Sequence, residues 1–292
     1  MSSLMNDGHS DQRKKITTHG YLKNVILSSE IFEASLVNDL ITESNFMIDI
    51  IPDSLQIRHA NKCDLERTKS SSNGILHDIP PEDRIIIEWI HDDIHAISEA
   101  YNVIDQTLLA LRLLKEKSVF VTHIYNFVEQ DMEYSDKVSA LAVPHPDNIF
   151  FEPYYLTSND EKTLQKLFKK IKSVDLKKES SLRLACDRYG RIFYDLFEED
   201  KLIDICISFE ALFLKGEQSR TSYGMGQLIG LACSMLIGKK EKDRINISNK
   251  IKLGFKYRND VIHGKIFNRN EVRKIIPVLN NYLRQSLVKL LD

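Results

Sequence analysis

Hydrophobic residues recur along this chain at helical intervals, interrupted by clusters of Pro, Gly and Ser. From residue 82 to about 115, Ile86, Ile90, Ile94, Ile97, Tyr101, Ile104, Leu108 and Leu111 follow one another every three or four positions, which predicts one long amphipathic helix. The segment VSALAVPHPDNIFFEPYYLT carries prolines and two short β-prone runs, so it predicts an irregular or strand-like connection. Thr157, Ser158 or Asn159 is placed to cap the next helix, through EKTLQKLFKKIK. Upstream, residues 1–16 are polar and aperiodic and read as a disordered tail, and KSSSNGILHDIPP breaks any regular element.

From Ser180 onward the pattern predicts consecutive helices. Leu182, Ala185, Tyr189, Ile192 and Leu196 form one stripe, and Leu202, Ile205, Phe209, Leu212 and Phe213 form the next. The second of these helices also carries Ile203, Ile207 and Leu214 on its other face, which predicts a place at the bundle centre. Glu210 lies in that second stripe and needs a partner, for which Arg183, Arg188 and Arg258 are the candidates. A third helix, from Tyr223 to about Ile237, holds Gly224, Gly226 and Gly230, which close helix packing would explain. A fourth begins near Arg244, directs Ile247, Ile251 and Phe255 inward and ends at Gly264. A fifth is expected from about Pro277 to Leu291.

The expected fold is therefore mainly α. A helical bundle fills residues 151–292, and residues 17–150 form a mostly helical regulatory or recognition region with a few short strands. No apolar run is long enough to cross a bilayer, and MSSLMNDGHSDQRKK lacks the apolar core of a secretion signal, so a soluble, cytoplasmic protein without membrane contact is expected. Cys63, Cys186, Cys206 and Cys233 are widely spaced and are expected to be reduced and structural.

The overall charge of −2 conceals an asymmetry. Residues 1–160 hold 13 Lys and Arg against 26 Asp and Glu, whereas residues 161–292 hold 27 against 16, so the halves carry net charges of −13 and +11. A polyanion would meet the second half first.

Within that half, Tyr257-Arg258-Asn259-Asp260-Val261-Ile262-His263-Gly264 sets Asn259 and His263 four residues apart, on one helical face. Arg258 lies one position round, within reach of the same phosphate. Metal-free RNA cleavage needs such groups, a base of near-neutral pKa for the ribose 2′-hydroxyl and a cation for the phosphoryl transition state. One imidazole cannot easily serve both sides of a phosphorus, which argues for two copies facing each other across a two-fold axis. Lys250, Lys252, Lys256 and Lys265 are candidate RNA contacts around it, with Tyr257 and Asp260 in support.

Competing constellations are weaker. Arg84 and His91 share an Arg-to-His spacing, but on the polar face of the expected long helix they lie about 10 Å apart along its axis. His91 and His95, one turn apart on that helix, lack a third metal ligand, and Glu198, Glu199 and Asp200 read as favourable charge at a helix start. No metal or cofactor is expected.

DKLIDICISFEALFL followed by YRNDVIHG, with SLRLACDRYGRIFYDLF before them, resembles HEPN domains, and the order of segments is similar to the ApeA-like branch over about residues 150–292. The resemblance implies a HEPN-type bundle and a metal-independent endoribonuclease of antiviral defence or a toxin-antitoxin system, acting as a homodimer on RNA, with an antitoxin or trigger protein as further partner. It places the family's catalytic Arg, polar residue and His on Arg258, Asn259 and His263, and an acidic residue on Glu210. His263 would be base or acid, Arg258 would hold the phosphate, and Asn259 would orient one of them. Lys265 stands where HEPN toxins silenced by nucleotidylation carry Tyr, so that control is not expected. The alternative is a catalytically inactive HEPN module for dimerisation and for binding RNA or protein.

Overall fold

The computed structural model describes residues 16–23, 25–28, 47–61, 64, 85–91, 97–130, 133–142, 153–174, 180–195, 197–214 and 224–291. The expected tail up to residue 15, the KSSSNGILHDIPP break, Cys63, Arg84 and His95 lie outside the described residues.

Among the described residues the chain is mainly helical, with seven α-helices, and no helix is long and apolar enough to cross a membrane. The helices are α1 (Ile97–Leu114), α2 (Glu161–Ser173), α3 (Ser180–Arg191), α4 (Glu198–Phe213), α5 (Met225–Ile237), α6 (Glu241–Ile262) and α7 (Arg269–Leu291). Eight strands accompany them: β1 (Ile16–Lys23), β2 (Val25–Ser28), β3 (Met47–Ile51), β4 (Leu55–His59), β5 (Ile85–His91), β6 (Phe120–Gln130), β7 (Glu133–Ala142) and β8 (Tyr154–Thr157).

The expectation of a mostly helical region over residues 17–150 is corrected. Among its described residues that region is a six-stranded sheet of order β3-β4-β5-β1-β6-β7, all its pairings antiparallel, with α1 against it. The predicted long helix from residue 82 is in fact strand β5 and then helix α1. Its first part reads Ile85-Ile86-Ile87, and β-branched residues fit a pleated strand better than a helix. Because β5 lies inside the sheet between β4 and β1, both faces are buried and its pattern is a continuous apolar run rather than an alternation. Gly20 of β1 lets the sheet approach α1, since a Cβ there would lie 3.2 Å from Ile104.

The last turn of α1 joins the sheet to the bundle. Its terminal carbonyls have no partner within the helix, and three side chains from elsewhere meet them. Tyr154 Oη donates to Leu111 O at 2.6 Å, Tyr189 Oη to Arg112 O at 3.0 Å and Arg284 Nη1 to Leu113 O at 2.9 Å. Strand β2 also pairs in parallel with β8, at the entrance to α2. One continuous core therefore runs from Ile57 and Ile87 of the sheet to Phe209 and Leu283 of the bundle.

In the bundle, α4 packs against α3, α5, α6 and α7, as its two apolar stripes predict. The glycines of α5 act through close packing. A Cβ on Gly226 would stand 2.8 Å from Phe255 Cβ, and one on Gly230 would stand 2.9 Å from the Ser248 carbonyl, so α5 and α6 are nearly in backbone contact. The expected start of the last helix at Pro277 is also corrected, because α7 begins at Arg269 with Pro277 inside it. Asn268 starts it, its Oδ1 accepting from the Asn270 and Glu271 backbone N–H groups at 3.0 and 3.4 Å. Pro277 sits on the exposed face, where water can take the carbonyl that its missing N–H leaves free.

Candidate functional site

Helix α6 presents two sides. Ile247, Ile251, Gly254 and Phe255 are buried, with Gly254 so close to α7 that a Cβ would lie 2.5 Å from Leu279 Cδ1. Lys252, Lys256, Asn259 and His263 are all exposed. They are spaced by four, three and four residues and so share one helical line of about 16 Å at 1.5 Å per residue. Two ammonium groups thus lead along the helix to an amide and an imidazole.

The helix end that holds His263 is closed by a Schellman turn. His263 is the C-cap residue, and its N–H donates to Asn259 O at 3.0 Å. Gly264 has φ +63°, its N–H donates to Val261 O at 3.1 Å, and the Lys265 N–H donates to Asp260 O at 2.9 Å. This hydrogen-bond set fixes the backbone of His263 while the imidazole stays exposed. Among the described residues the imidazole has no hydrogen-bond partner.

Arg258 turns the other way, toward α4. Its Nη2 lies 3.3 Å from Glu210 Oε1, with the side chains 18% and 25% exposed, and its Nη1 donates to Asn259 Oδ1 at 3.2 Å. Of the three candidate partners for Glu210, Arg258 is therefore the one the fold selects. Arg183 lies 3.7 Å from Asp187, and Arg188 lies 2.7 Å from Asp204. The pair is incompletely satisfied, since Arg258 Nε and Glu210 Oε1 are buried without a well-formed hydrogen bond. The charges of both act on the buried Cys206, whose thiol is pushed up first by burial, with Arg258 lowering it and Glu210 raising it.

The remaining candidates are placed unevenly. Tyr257 is half-buried against the core, and Lys250 is half-buried. Lys265 is exposed with its Nζ 3.7 Å from Asp260 Oδ1, so part of its charge is already answered. The structure thus brings together Arg258, Asn259 and Glu210, and places the His263 imidazole at the end of the basic line, without a hydrogen bond to any of the three side chains.

The competing constellations lose their premise. His91 ends strand β5 and stacks on Trp89 at 4.1 Å between ring centroids, so it does not lie on a helix. Among the described residues no group of three or more His, Cys, Asp or Glu could hold a metal ion. Glu198 and Glu199 lie in the first turn of α4, where charge at a helix start was expected, and they also reach α7. Glu199 Oε1 is 3.0 Å from Arg269 Nε, and Glu198 Oε1 is 4.0 Å from Arg273 Nε.

The described cysteines are buried and free. Burial pushes the Cys186 thiol up to about 12 and the Cys233 thiol up to about 11, which makes both poor nucleophiles. A cluster that sequence reasoning missed lies at the turn from α3 to α4, where Arg188, Arg191, Asp195, Asp200 and Asp204 line a cavity. No spacing rule in the sequence marks it, because its members come together only when α3 folds against α4.

No family model matches this chain, and no curated protein or solved structure does either.

Proposed function

We propose that this chain is a metal-independent endoribonuclease of the HEPN kind, acting as a homodimer in the cytoplasm, in antiviral defence or a toxin-antitoxin system. The observation that supports it best is the exposed line of Lys252, Lys256, Asn259 and His263, which offers a polyanion a track ending at a free imidazole. Lys252 and Lys256 take backbone phosphates. Arg258, held from behind by Glu210, presents its Nη1 edge beside Asn259, where an incoming phosphate competes with the Asn259 amide oxygen.

In the reaction, one His263 removes the proton from a ribose 2′-hydroxyl and the resulting alkoxide attacks the adjacent phosphorus. The bond to the 5′-oxygen breaks, and the His263 of a second copy protonates that leaving group. The products are a 2′,3′-cyclic phosphate and a 5′-hydroxyl. Arg258 offsets the charge that builds on the non-bridging oxygens. An RNA carrying a single 2′-deoxy nucleotide tests this chemistry: its linkage is expected to resist cleavage while its neighbours are cut, and cutting at that linkage refutes the route.

A second reading, a catalytically inactive HEPN module that binds RNA or protein, draws on the ion pair itself. An Arg258 engaged by both Glu210 and Asn259 suits a structural role as well. RNA binding without any cleavage, unchanged on replacing His263, would select this reading.

A further inference from the structure

Helix α5 differs from the other helices of the fold. Among the seven described α-helices it alone carries no Asp, Glu, Lys or Arg, and besides the Cys233 thiol its polar side chains are Gln227 and Ser234. Ile229, Gly230, Cys233 and Ser234 are buried. A helix that is apolar all round belongs under cover, yet Leu231 and Met235 are 59% and 57% exposed, and Met225 stands out as well. With the half-buried Leu228 and Ala232 these residues recur every three or four positions and form one stripe. The stripe borders the basic line of α6, since a Cβ on Gly226 would lie 3.6 Å from Lys252 Cα. Ile245, also exposed, heads that line two turns before Lys252. Met225, Leu231, Met235 and Ile245 together expose on the order of 400 Å2, as much as the largest apolar patch of a typical monomer. That is about half of the roughly 800 Å2 per partner that a specific interface buries, close to the apolar share of such interfaces.

We propose that a second copy of this chain covers the stripe, with α5 beside the partner's α5 about a two-fold axis that runs along the helices. Charge selects a copy of the chain as the occupant. Residues 161–292 carry +11, and in a two-fold contact each residue near the axis meets its own counterpart, so a lysine row would oppose itself. The stripe on α5 opposes no charge. An anionic lipid surface is disfavoured, because Glu241 and Asp243 are exposed at the start of α6. The direction of the axis rests on the nuclease reading, in which two His263 rings share one phosphate: an axis along the helices keeps both ends of α6 level, whereas one across them sets these ends apart. Gly226, at the start of α5, lies against Phe255, so α6 runs on past α5 through residues 256–262, roughly 10 Å. Asn259 and His263 lie on or at the end of that overhang, flanked by the exposed Ile262 and Ile266. The two lysine lines then follow either side of the α5 pair and end at one shared site.

The experiment is sedimentation velocity of the full chain over a range of concentrations, followed by crosslinking. Wild type is expected to dimerise, and Leu231→Glu, which sets like charges against each other across the axis, to weaken the dimer at least a hundredfold. Leu231 is exposed, and matched melting curves confirm that the variant is folded. Met225→Cys and Met235→Cys stand about 15 Å apart along α5 and report the direction of the axis. With a short bismaleimide each is expected to crosslink to its own counterpart, and Lys289→Cys on α7 is expected not to; the described native cysteines are buried. A dimer that Leu231→Glu leaves unchanged overturns this interface while the homodimeric nuclease stands. Crosslinking only in a mixture of Met225→Cys with Met235→Cys means antiparallel helices and overturns the axis. A monomeric wild type overturns the interface and the homodimer together, and if that monomer floats with phosphatidylserine vesicles the stripe belongs to a lipid surface.

Discussion

Arg258 and Glu210 meet at 3.3 Å and tie the C-terminal end of α6 to α4. Removing one member of a largely buried pair leaves the other without compensation, which costs more than the pair itself contributes. Glu210→Ala is therefore expected to lower unfolding stability by about 2–3 kcal/mol, and the double change with Arg258→Met by less than the sum of the two single changes. Urea titration of the four proteins measures this. Additive losses would show that the two groups are not coupled.

Two glycines, one at the end of α6 and one inside α5, serve different needs. At Gly264 the requirement is backbone conformation, φ +63° with open space around it, so Gly264→Asn should cost about 0.5 kcal/mol or less and Gly264→Val more than about 1 kcal/mol. At Gly230 the requirement is space, with the Ser248 carbonyl 2.9 Å from any Cβ, so even Gly230→Ala should cost about 1–3 kcal/mol. Equal tolerance of Ala at Gly230 would mean that α5 and α6 are not so tightly apposed.

Arg112 carries the junction of the two halves. It is 3% exposed and makes no ion pair among the described residues. Its Nε and Nη2 donate to Val119 O at 3.2 and 2.9 Å, and its Nη1 donates to Gly190 O at 3.2 Å. Its Cζ lies 4.7 Å from the Phe193 ring centroid and 4.9 Å from that of Tyr194. An ammonium cannot reproduce that planar fork, so Arg112→Lys should cost about 2–4 kcal/mol. Because the core is continuous, Trp89 fluorescence and helical circular dichroism should report one shared transition in both proteins. Separate midpoints in wild type would contradict the shared core.

Asp195 makes stability depend on pH in a defined direction. Its folded value, about 6, is above the ordinary 3.8, so the folded state holds its proton more tightly than the unfolded chain does. The contribution of this group favours folding below about pH 4 and is lost as pH rises through 6. Asp195→Asn should therefore be more stable than wild type at pH 7.5, by on the order of 1 kcal/mol after screening at this half-exposed carboxyl, and the gain should vanish near pH 4. Melting curves at both pH values test it, and a gain that grows on acidification would contradict the sign.

The bundle was legible in the sequence because its apolar residues keep helical spacing and its stops, Gly264 above all, are chemical. The sheet was not. Ile85-Ile86-Ile87 is buried on both faces, so no alternation betrays a strand, and Ile86, Ile90 and Ile94 happen to continue the spacing of α1. Pro277 misled for a different reason: proline favours a helix start, but α7 carries it inside, at an exposed position where water can take the carbonyl it leaves free. At the site, helical spacing put Asn259 and His263 on one face, while Lys252 and Lys256 were read only as RNA contacts around them and not as members of the same exposed line. The choice among three arginines for Glu210 depended on how α4 meets α6, which no local pattern contains.

His263 offers the most direct test of the whole account, because it is exposed at a helix end whose hydrogen bonds are made by backbone groups, so replacing it should leave the fold intact. The measurement is the rate of RNA cleavage in EDTA by wild type and His263→Ala, with Arg258→Ala alongside. Loss of general acid and base should slow cleavage by about 10²-fold or more while the melting curve of His263→Ala stays within a few degrees of wild type. Cleavage at the wild-type rate by a folded His263→Ala protein would contradict it.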